Sequence, residues 1–591
     1  MTEDYIERQR AHSETASGLK QQFNSISLFR LISIAVALAL GFYAIRTSEP
    51  VFWWTCIAAI AVFLVLMRLH THIKKRLLFA ETLVKLNEEE ISFLENNDLP
   101  FYDGAAFNEA NHLYTYDLDI FGPHSLFHHL NRTQTVMGRS QLADALKNRS
   151  SSETILNRQE AVRELVPLLD WRQEFSVKAR LAKDNEQILK TLRSWTGENS
   201  GGMSAFLTLL SYALPITSAL LVTFFIFHHN ILFLHFTTTV FILNLILLGS
   251  QLKSMNREIA FADNINETML RFSELLQKIE NSDWKSSFMR QQKAQLMQTG
   301  KPASASIHEL SRIFASLESL QNGFGAILMN GAFLYHLHAY RKLLRWKKTH
   351  ASQLNEWLEI IGRTEVLNTF ANLGFNNPEF CFPELNEDNR IAFEGIGHPL
   401  IPERKRISNA VDFTEQSFII LTGSNMSGKS TFLRTLGINF VLANAGAPVC
   451  AVSAAFHPMD IIVSMRLSDS LTDSESYFFA EVKRLKEIMD KLDENRCFVL
   501  LDEILRGTNS DDKRSGTIAV VKKVLEKHAI GAIATHDLEV CQTTDEYPDQ
   551  LVNKCFEVEI VNNDLHFDYR LRNGICQNKS ATFLMTKMGV I

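Results

Sequence analysis

The sequence predicts a mixed fold: a C-terminal α/β nucleotide-binding domain, an all-α region ahead of it, and two membrane-crossing α-hairpins set into that region. Three observations carry this reading. Residues 421–436 hold a phosphate-loop pattern between an apolar run and a helical pattern. Four apolar runs occur as two close pairs. The remaining sequence ahead of residue 386 is charged and helical in period. The boundaries that follow are 1–27 for a cytoplasmic N-terminal segment, 28–69 for the first hairpin, 70–204 for a helical region, 205–250 for the second hairpin, 251–385 for a helical return and 386–591 for the α/β domain. A chain of 591 residues is long enough for several such parts.

Leu31–Ile45 is nearly unbroken apolar sequence, and Val51–Met67 is a second run with Trp53 and Trp54 near its start. Ala205–Phe227 and Ile231–Gly249 form the other pair. A spanning helix needs about 20 predominantly apolar residues, with roughly 17 as the lower limit. The first pair sits near that limit and the second meets it comfortably. The links Arg46–Pro50 and His228–Asn230 are short enough for tight hairpins. Pro215 and Thr237–Thr239 are tolerated in membrane helices, where neighbouring groups satisfy the freed backbone. The competing reading is a set of buried core helices in a soluble protein. Long soluble helices would carry charges every few residues, and these runs do not. A cleaved signal peptide is disfavoured, because no small-residue cleavage site follows the first run.

Charge sets the orientation. Arg8, Arg10, Lys20 and Arg30 precede the first run, and Arg68, Lys74, Lys75 and Arg76 follow the second. The first link holds only Arg46, and the second holds no Lys or Arg. The positive-inside rule then predicts a multi-pass protein of the inner (cytoplasmic) membrane, with both termini and the α/β domain in the cytoplasm. His235 and Asn244 are the main polar exceptions to Ser and Thr within the runs, and no Asp, Glu or Lys occurs there. That counts against an ion-coupled transport pathway.

A formal net charge of −6 argues against a bulk polybasic nucleic-acid binder while leaving room for a local patch. The one candidate patch is Arg341-Lys-Leu-Leu-Arg-Trp-Lys-Lys348, with Arg341, Lys342, Arg345, Lys347 and Lys348 on about two helical turns. Three readings stay open. The cluster could track nucleic-acid phosphates, with Trp346 available for stacking. It could meet anionic lipid head groups. It could be a solvated helix face. Glu403-Arg-Lys-Arg406 reads as a surface turn. Seven scattered Cys without a C-x-x-C pair read as reduced thiols, so neither a disulfide framework nor a zinc site is expected.

The chemistry lies in the last third. An apolar strand, Ser417–Leu421, leads into Gly423, Gly428, Lys429 and Ser430 of a G-x-x-x-x-G-K-[ST] loop, and a helical pattern over Thr431–Leu442 follows. Glycines let backbone N–H groups of Gly423, Ser424, Asn425, Met426, Ser427, Gly428, Lys429, Ser430 and Thr431 cradle phosphate oxygens, and the helix N-terminus adds its positive dipole end. Lys429 is expected to reach the β- and γ-phosphates of ATP, and Ser430 to ligate Mg²⁺. Cys497-Phe-Val-Leu-Leu-Asp502-Glu503 is an apolar strand ending in two carboxylates. Asp502 is expected to hold Mg²⁺ through its water shell, and Glu503 to polarise the attacking water as general base. A further strand, Ile530–Thr535, ends in His536, a candidate γ-phosphate sensor. The bland readings are a solvated acidic turn and an ordinary strand-end histidine.

Thr422-Gly-Ser-Asn-Met-Ser-Gly-Lys-Ser-Thr431, Asp502-Glu-Ile-Leu-Arg-Gly-Thr-Asn-Ser510 and Ala534-Thr-His-Asp-Leu-Glu539 together resemble the ATPase domain of the MutS family. The ABC-transporter signature Leu-Ser-Gly-Gly-Gln is absent, and Glu475-Ser-Tyr-Phe-Phe-Ala-Glu481 resembles the MutS signature segment in its place. The resemblance implies an ABC-like, MutS-type domain that dimerises and forms composite ATP sites. Ser476 would reach the γ-phosphate bound by the other subunit, and Asn425 would also lie near it. Leu118-Asp-Ile-Phe-Gly-Pro-His-Ser-Leu-Phe-His-His-Leu-Asn-Arg-Thr-Gln-Thr-Val-Met-Gly-Arg139 resembles the opening of the family's core domain, continued by Ile155–Leu165 with Arg158 and Val162. Residues 251–380 then read as returning lever helices. Gly397-His-Pro-Leu-Ile401 resembles a short strand at the domain entrance, and Tyr569-Arg-Leu-Arg-Asn-Gly574 with Ser580-Ala581 the closing strand and helix.

Departures from the family shape the functional expectation. No mismatch-reading or connector domain is expected; Phe93-Leu-Glu95 matches the Phe-x-Glu wedge in letters only, since it sits just after a membrane hairpin. The second hairpin falls roughly where the family inserts its DNA-gripping clamp, and is read as replacing or displacing it. The resemblance implies ATP hydrolysis coupled to branched, damaged or mismatched double-stranded DNA at the membrane. Two alternatives remain: a membrane-remodelling ATPase acting on the lipid bilayer without DNA, and a scaffold whose ATP state gates an unknown protein partner.

Overall fold

A computed structural model describes residues 1–197, 202–262, 265–298, 300–321, 323–424, 426–466, 477–561 and 564–576. The chain divides into two units, one of Met1–Pro100 with Leu169–Lys183 and one of Phe101–Leu168 with Asp184–Ile591.

The first unit is three helices: α1 (Thr2–Thr47), α2 (Pro50–Asn96) and α6 (Leu169–Ala182). Ser48 stops α1 in the left-handed conformation, with its N–H on the Ala44 carbonyl, and Pro50 starts α2 where a missing N–H costs nothing. Leu19 packs with Ile73 and Leu77, and α6 sets Val177 and Leu181 against Leu83. Asn87 and Gln173 exchange amide hydrogen bonds, and Arg180 donates two bonds to the Glu89 carboxylate at 3.0 and 2.6 Å. The apolar middles are different: Leu31, Leu38 and Ile45 of α1 and Val51, Trp54 and Val65 of α2 are exposed. Sequence boundaries at 27/28 and 69/70 fall inside continuous helices, and α6 comes from a stretch expected in the helical core region.

The helical part of the second unit runs α3 (Leu126–Leu130), α4 (Val136–Lys147), α5 (Ser152–Leu165), α7 (Glu186–Gly197), α8 (Ala205–His228), α9 (Ile231–Ala262), α10 (Asn266–Asn281), α11 (Ser287–Leu296), α12 (Ala303–Glu318), α13 (Gly323–Phe333) and α14 (Tyr335–Asn376). Among the described residues, α1, α2, α8 and α9 are long and apolar enough to cross a membrane. Ser204 caps α8 by accepting from Leu207 N–H, while the boundary expected at 250/251 falls inside α9.

Thr135, from the Thr-Gln-Thr-Val-Met-Gly turn, caps α4 by accepting from Gly138 N–H at 3.0 Å. Glu365 of α14 reaches the same turn. It accepts from Gln134 N–H at 2.7 Å and from the Thr135 hydroxyl, and burial pushes its pKa up to about 7. A Cβ at position 138 would lie 2.1 Å from Glu365 Oε2 and would displace that carboxylate from the turn.

The basic stretch of α14 corrects one expectation. Trp346 and Lys347 are buried, not available to a ligand. Trp346 donates its indole N–H to the Ser306 carbonyl at 2.8 Å. Lys347 lies over the Trp195 ring at 4.7 Å and 3.9 Å from the Glu258 carboxylate, which also accepts from Trp195 at 2.6 Å. The physical reason is helical phase: Leu343, Leu344, Trp346 and Lys347 share the inward face, leaving Lys342, Arg345 and Lys348 outside.

The α/β part contains two sheets. The larger has the order β10-β9-β4-β8-β7-β6, with β4 (Phe418–Gly423), β6 (Asp460–Ser464), β7 (Cys497–Asp502), β8 (Ile530–Ala534), β9 (Leu551–Val561) and β10 (Asp564–Asn573). Its pairs are parallel except for the edge pair β9–β10. Every residue of β4, β7 and β8 is buried, as expected for strands covered on both faces. The smaller sheet is β1 (Glu384–Leu385), β5 (Ser453–Phe456), β2 (Ala392–Ile396) and β3 (Asn409–Asp412), in that order. Helices α15 (Lys429–Ala445), α16 (Tyr477–Glu494), α17 (Ser510–Glu526) and α18 (Thr543–Glu546) complete it. Gly397–Ile401 is not the strand expected there. It is a turn after β2, closed by Ile401 N–H on His398 O, and Pro399 has no N–H to give a ladder.

Candidate nucleotide site

Strands β4, β8 and β7 lie side by side and parallel, so their C-terminal ends deliver three loops to one place. In open α/β sheets that edge is where ligands bind. β4 delivers the loop 423–430, β7 delivers Asp502 and Glu503, and β8 leads through Thr535 to His536.

The loop is built for close approach of backbone to a ligand. Gly428, at φ 101°, starts α15, and a Cβ there would meet the Tyr569 ring at 3.0 Å. Met426 is left-handed at φ 67° and exposed. Lys429 is buried and donates to the carbonyls of Gly423 and Ser424 at 2.8 and 3.0 Å; burial lowers its pKa. The hydroxyls of Ser424 and Ser427 are buried with no hydrogen-bond partner among the described residues, which suits a ligand rich in acceptor oxygens. A cavity of about 490 Å³ opens over the loop, lined also by His398, Glu503, Phe556 and Tyr569. That volume is in the range of small-molecule sites.

Ser430 donates its hydroxyl to Asp502 Oδ2 at 2.6 Å, so the two expected magnesium ligands stand together. A hydroxyl and a carboxylate oxygen are the hard donors this ion takes, so the pair fits Mg²⁺. Beside them, Glu503 is left-handed at φ 50° with its N–H on the Ala534 carbonyl at 3.0 Å. Its Oε1 lies 2.5 Å from His536 Nε2. The hydrogen bond from His536, with charge from His536, Arg506 and Lys429, outweighs burial and holds the Glu503 carboxyl down at about 2. Such a carboxylate is ionised at neutral pH and orients a water better than it takes its proton.

The structure adds residues that the sequence did not single out. Glu481 is buried and accepts from the backbone N–H groups of Leu505 and Arg506 at 2.5 and 3.0 Å, fixing the turn after Glu503. Arg506 donates to the Glu503 and Asp502 carbonyls at 2.8 and 3.1 Å. Asp119 pairs with Arg434 of α15 at 3.1 Å and with Arg466, tying the segment 118–139 to the phosphate-loop helix. Asp119 and Glu481 lie within the Leu118–Arg139 and Glu475–Glu481 segments, but no spacing rule links residue 119 to 434 or 481 to 505. Asn425 and Ser476 lie outside the described residues. Arg341, Lys342, Arg345, Lys347 and Lys348 are on α14, and none of them lines the cavity.

Comparison with known proteins agrees with this layout. The family model for MutS domain V matches residues 419–589. The chain is 29% identical to the human MutS protein homolog 4 over 250 residues, which is 40% of this chain and 26% of that one. It is 30% identical to the DNA mismatch repair protein MutS of Thermotoga maritima over 234 residues, 39% of this chain and 29% of that one. Against the DNA mismatch repair protein MutS of Fusobacterium nucleatum it is 30% identical over 230 residues, 37% of this chain and 25% of that one. The chain thus spans between a quarter and a third of the length of the curated relatives it matches.

Proposed function

The chain belongs to the MutS family through its C-terminal domain, and from that premise we propose that it is a membrane-anchored ATPase that hydrolyses ATP at composite dimer sites and couples the cycle to DNA. The observation that carries the ATPase reading is the pairing of Ser430 with Asp502 at 2.6 Å beside the Glu503–His536 pair. ATP is the substrate: the loop amides and Lys429 bind its phosphates, and Ser430 and Asp502 hold Mg²⁺. The ion, when bound, neutralises charge on the phosphate oxygens. Glu503 orients the attacking water, and His536 holds Glu503 ionised and in place. Ser476 of one subunit completes the site of the other.

Anchoring is supported by the exposed apolar middles of α1 and α2 and by the apolar pair α8 and α9; the flanking Lys and Arg support a cytoplasmic position for both termini. Coupling to DNA is supported by what the relatives' names say of mismatch repair. The second reading, an ATPase that acts on the bilayer or a protein partner without DNA, is favoured by the apolar pair lying inside the helical region.

The test is steady-state ATPase of the detergent-solubilised protein with plain, branched and mismatched duplex DNA, with Glu503→Gln as the blank. Turnover that DNA changes in a salt-sensitive way supports the first reading. Turnover indifferent to DNA and absent from the blank supports the second. No turnover above the blank removes both.

A further inference from the structure

Helix α13 is apolar and short. Gly323–Phe333 carries no charged residue, and its 11 residues span about 16 Å, half of a bilayer's apolar core of roughly 30 Å. It cannot cross, yet it packs on a helix read as crossing. Gly331 fits against Phe241 of α9, where a Cβ would lie 2.1 Å from the ring, and Asn244 of α9 donates to the Gly331 carbonyl at 2.8 Å. Much of the helix has no cover among the described residues: Phe324 is 77% exposed, and Ile327, Leu328 and Phe333 are exposed with it.

The turn after α13 is finished as a water-poor site requires. Leu334 is left-handed at φ 49°. Asn330 donates to the Ala326 carbonyl and to His336 Nδ1, each at 2.7 Å, and accepts from His336 N–H at 3.0 Å. Ser319 meets His336 Nε2 at 3.0 Å. Backbone and side-chain polar groups therefore pair within the turn, which a lipid-facing segment needs.

The start of α14 carries the groups expected at a membrane surface. Tyr212 of α8 lies tilted against His338, with ring centroids 4.8 Å apart, and accepts from Arg341 at 2.6 Å. Tyr is enriched at membrane–water interfaces. Lys342, Arg345 and Lys348 follow on the exposed side of α14.

We propose that α13 is a half-length helix seated in the cytoplasmic leaflet beside α9, and that Arg341, Lys342, Arg345 and Lys348 bind the phosphates of anionic lipids at its edge. The occupant of the exposed surface is lipid because α13 packs on α9, whose Ile242, Leu243 and Ile246 are exposed as well, and because the charge that follows on α14 is positive, complementary to an anionic head group. The proposal rests on the reading of α8 and α9 as membrane helices.

The test uses the full chain in vesicles of phosphatidylethanolamine and phosphatidylglycerol. A photo-crosslinking phenylalanine analogue is placed at 324, with position 222 on α8 as reference. Lipid adducts at 324 in a yield similar to those at 222 are expected. Adducts at 222 with none at 324, or a crosslink from 324 to a second copy, would overturn the seating of α13 while leaving the spans intact. No lipid adduct at either position would remove the membrane reading of α8 and the proposal together. The triple variant Lys342→Glu, Arg345→Glu, Lys348→Glu is expected to lower the phosphatidylglycerol share of the adducts at 324 at least about threefold. An unchanged share with weakened binding of duplex DNA would assign this face to nucleic acid and overturn the lipid assignment.

Discussion

Glu503 Oε1 lies 2.5 Å from His536 Nε2, and this contact is the largest influence on the acidity of the carboxylate. His536 therefore acts on the chemistry through Glu503 as well as through any phosphate it meets. In His536→Ala the carboxyl should climb from about 2 back towards the ordinary 4.5. The acid limb of the kcat–pH profile would move to higher pH by the same shift. A limb that stays in place would show that His536 does not set the ionisation of Glu503.

Glu503→Gln should lower kcat by about two to three orders of magnitude while leaving nucleotide affinity within a few-fold, because water orientation is lost and phosphate binding is not. A fluorescent ATP analogue separates the two effects. Equal losses in binding and turnover would mean that Glu503 holds the loop rather than the water.

Ser430→Ala should raise the magnesium concentration needed for half-maximal ATPase by about tenfold or more, because one of two protein oxygens facing the ion is removed. A magnesium titration at fixed ATP measures it. An unshifted titration would place the ion away from the Ser430–Asp502 pair.

Glu365 has a folded-state pKa raised by burial to about 7 from the ordinary 4.5. Between those values the native state holds a proton that the unfolded chain has lost, so stability falls as pH rises from about 4.5 to about 7. The loss is roughly 3 kcal/mol at most. Glu365→Gln should flatten this slope, becoming more stable relative to the parent as pH rises through the window. Thermal unfolding across it, in detergent, would show parallel curves if Glu365 were ordinary.

Lys347→Ala and Lys348→Ala separate the inner and outer faces of α14. The first removes the cation 3.9 Å from the buried Glu258 carboxylate and should destabilise by about 3 kcal/mol; the second should cost under about 0.5 kcal/mol. Denaturant unfolding of the two variants side by side decides it. Similar losses would contradict the burial of Lys347.

The candidate nucleotide site is legible in the sequence because its parts are local. A strand, a glycine loop and a helix follow each other without a break around Gly423, Lys429 and Ser430, and Asp502 and Glu503 end their own strand. What the sequence hid depends on the third dimension. Trp346 and Lys347 sit in a run that reads as basic, and only the helical phase set by neighbouring Leu343 and Leu344 turns them inward. Glu365 meets Thr135 across more than two hundred residues, and no local pattern announces such a contact. Helix α13 is not announced by its sequence, because 11 mostly apolar residues are too few for a span and too many for a turn. The return of α6 to α1 and α2 is a matter of topology rather than of composition.

Helix α14 runs 42 residues, or about 63 Å, without interruption. Near one end Gly374 sits against Pro448, just past the last turn of the helix that begins at Lys429. Near the other, Tyr335 and its neighbours stand beside α9 and α13. A rod of that length has a simple mechanical gain. Pivoted at its Gly374 end, a tilt of about 5° sweeps the far end through about 5 Å, a full turn of helix. A stroke at the α9 and α13 end would be amplified by length alone, so the Gly374 end would need to give only a small rotation.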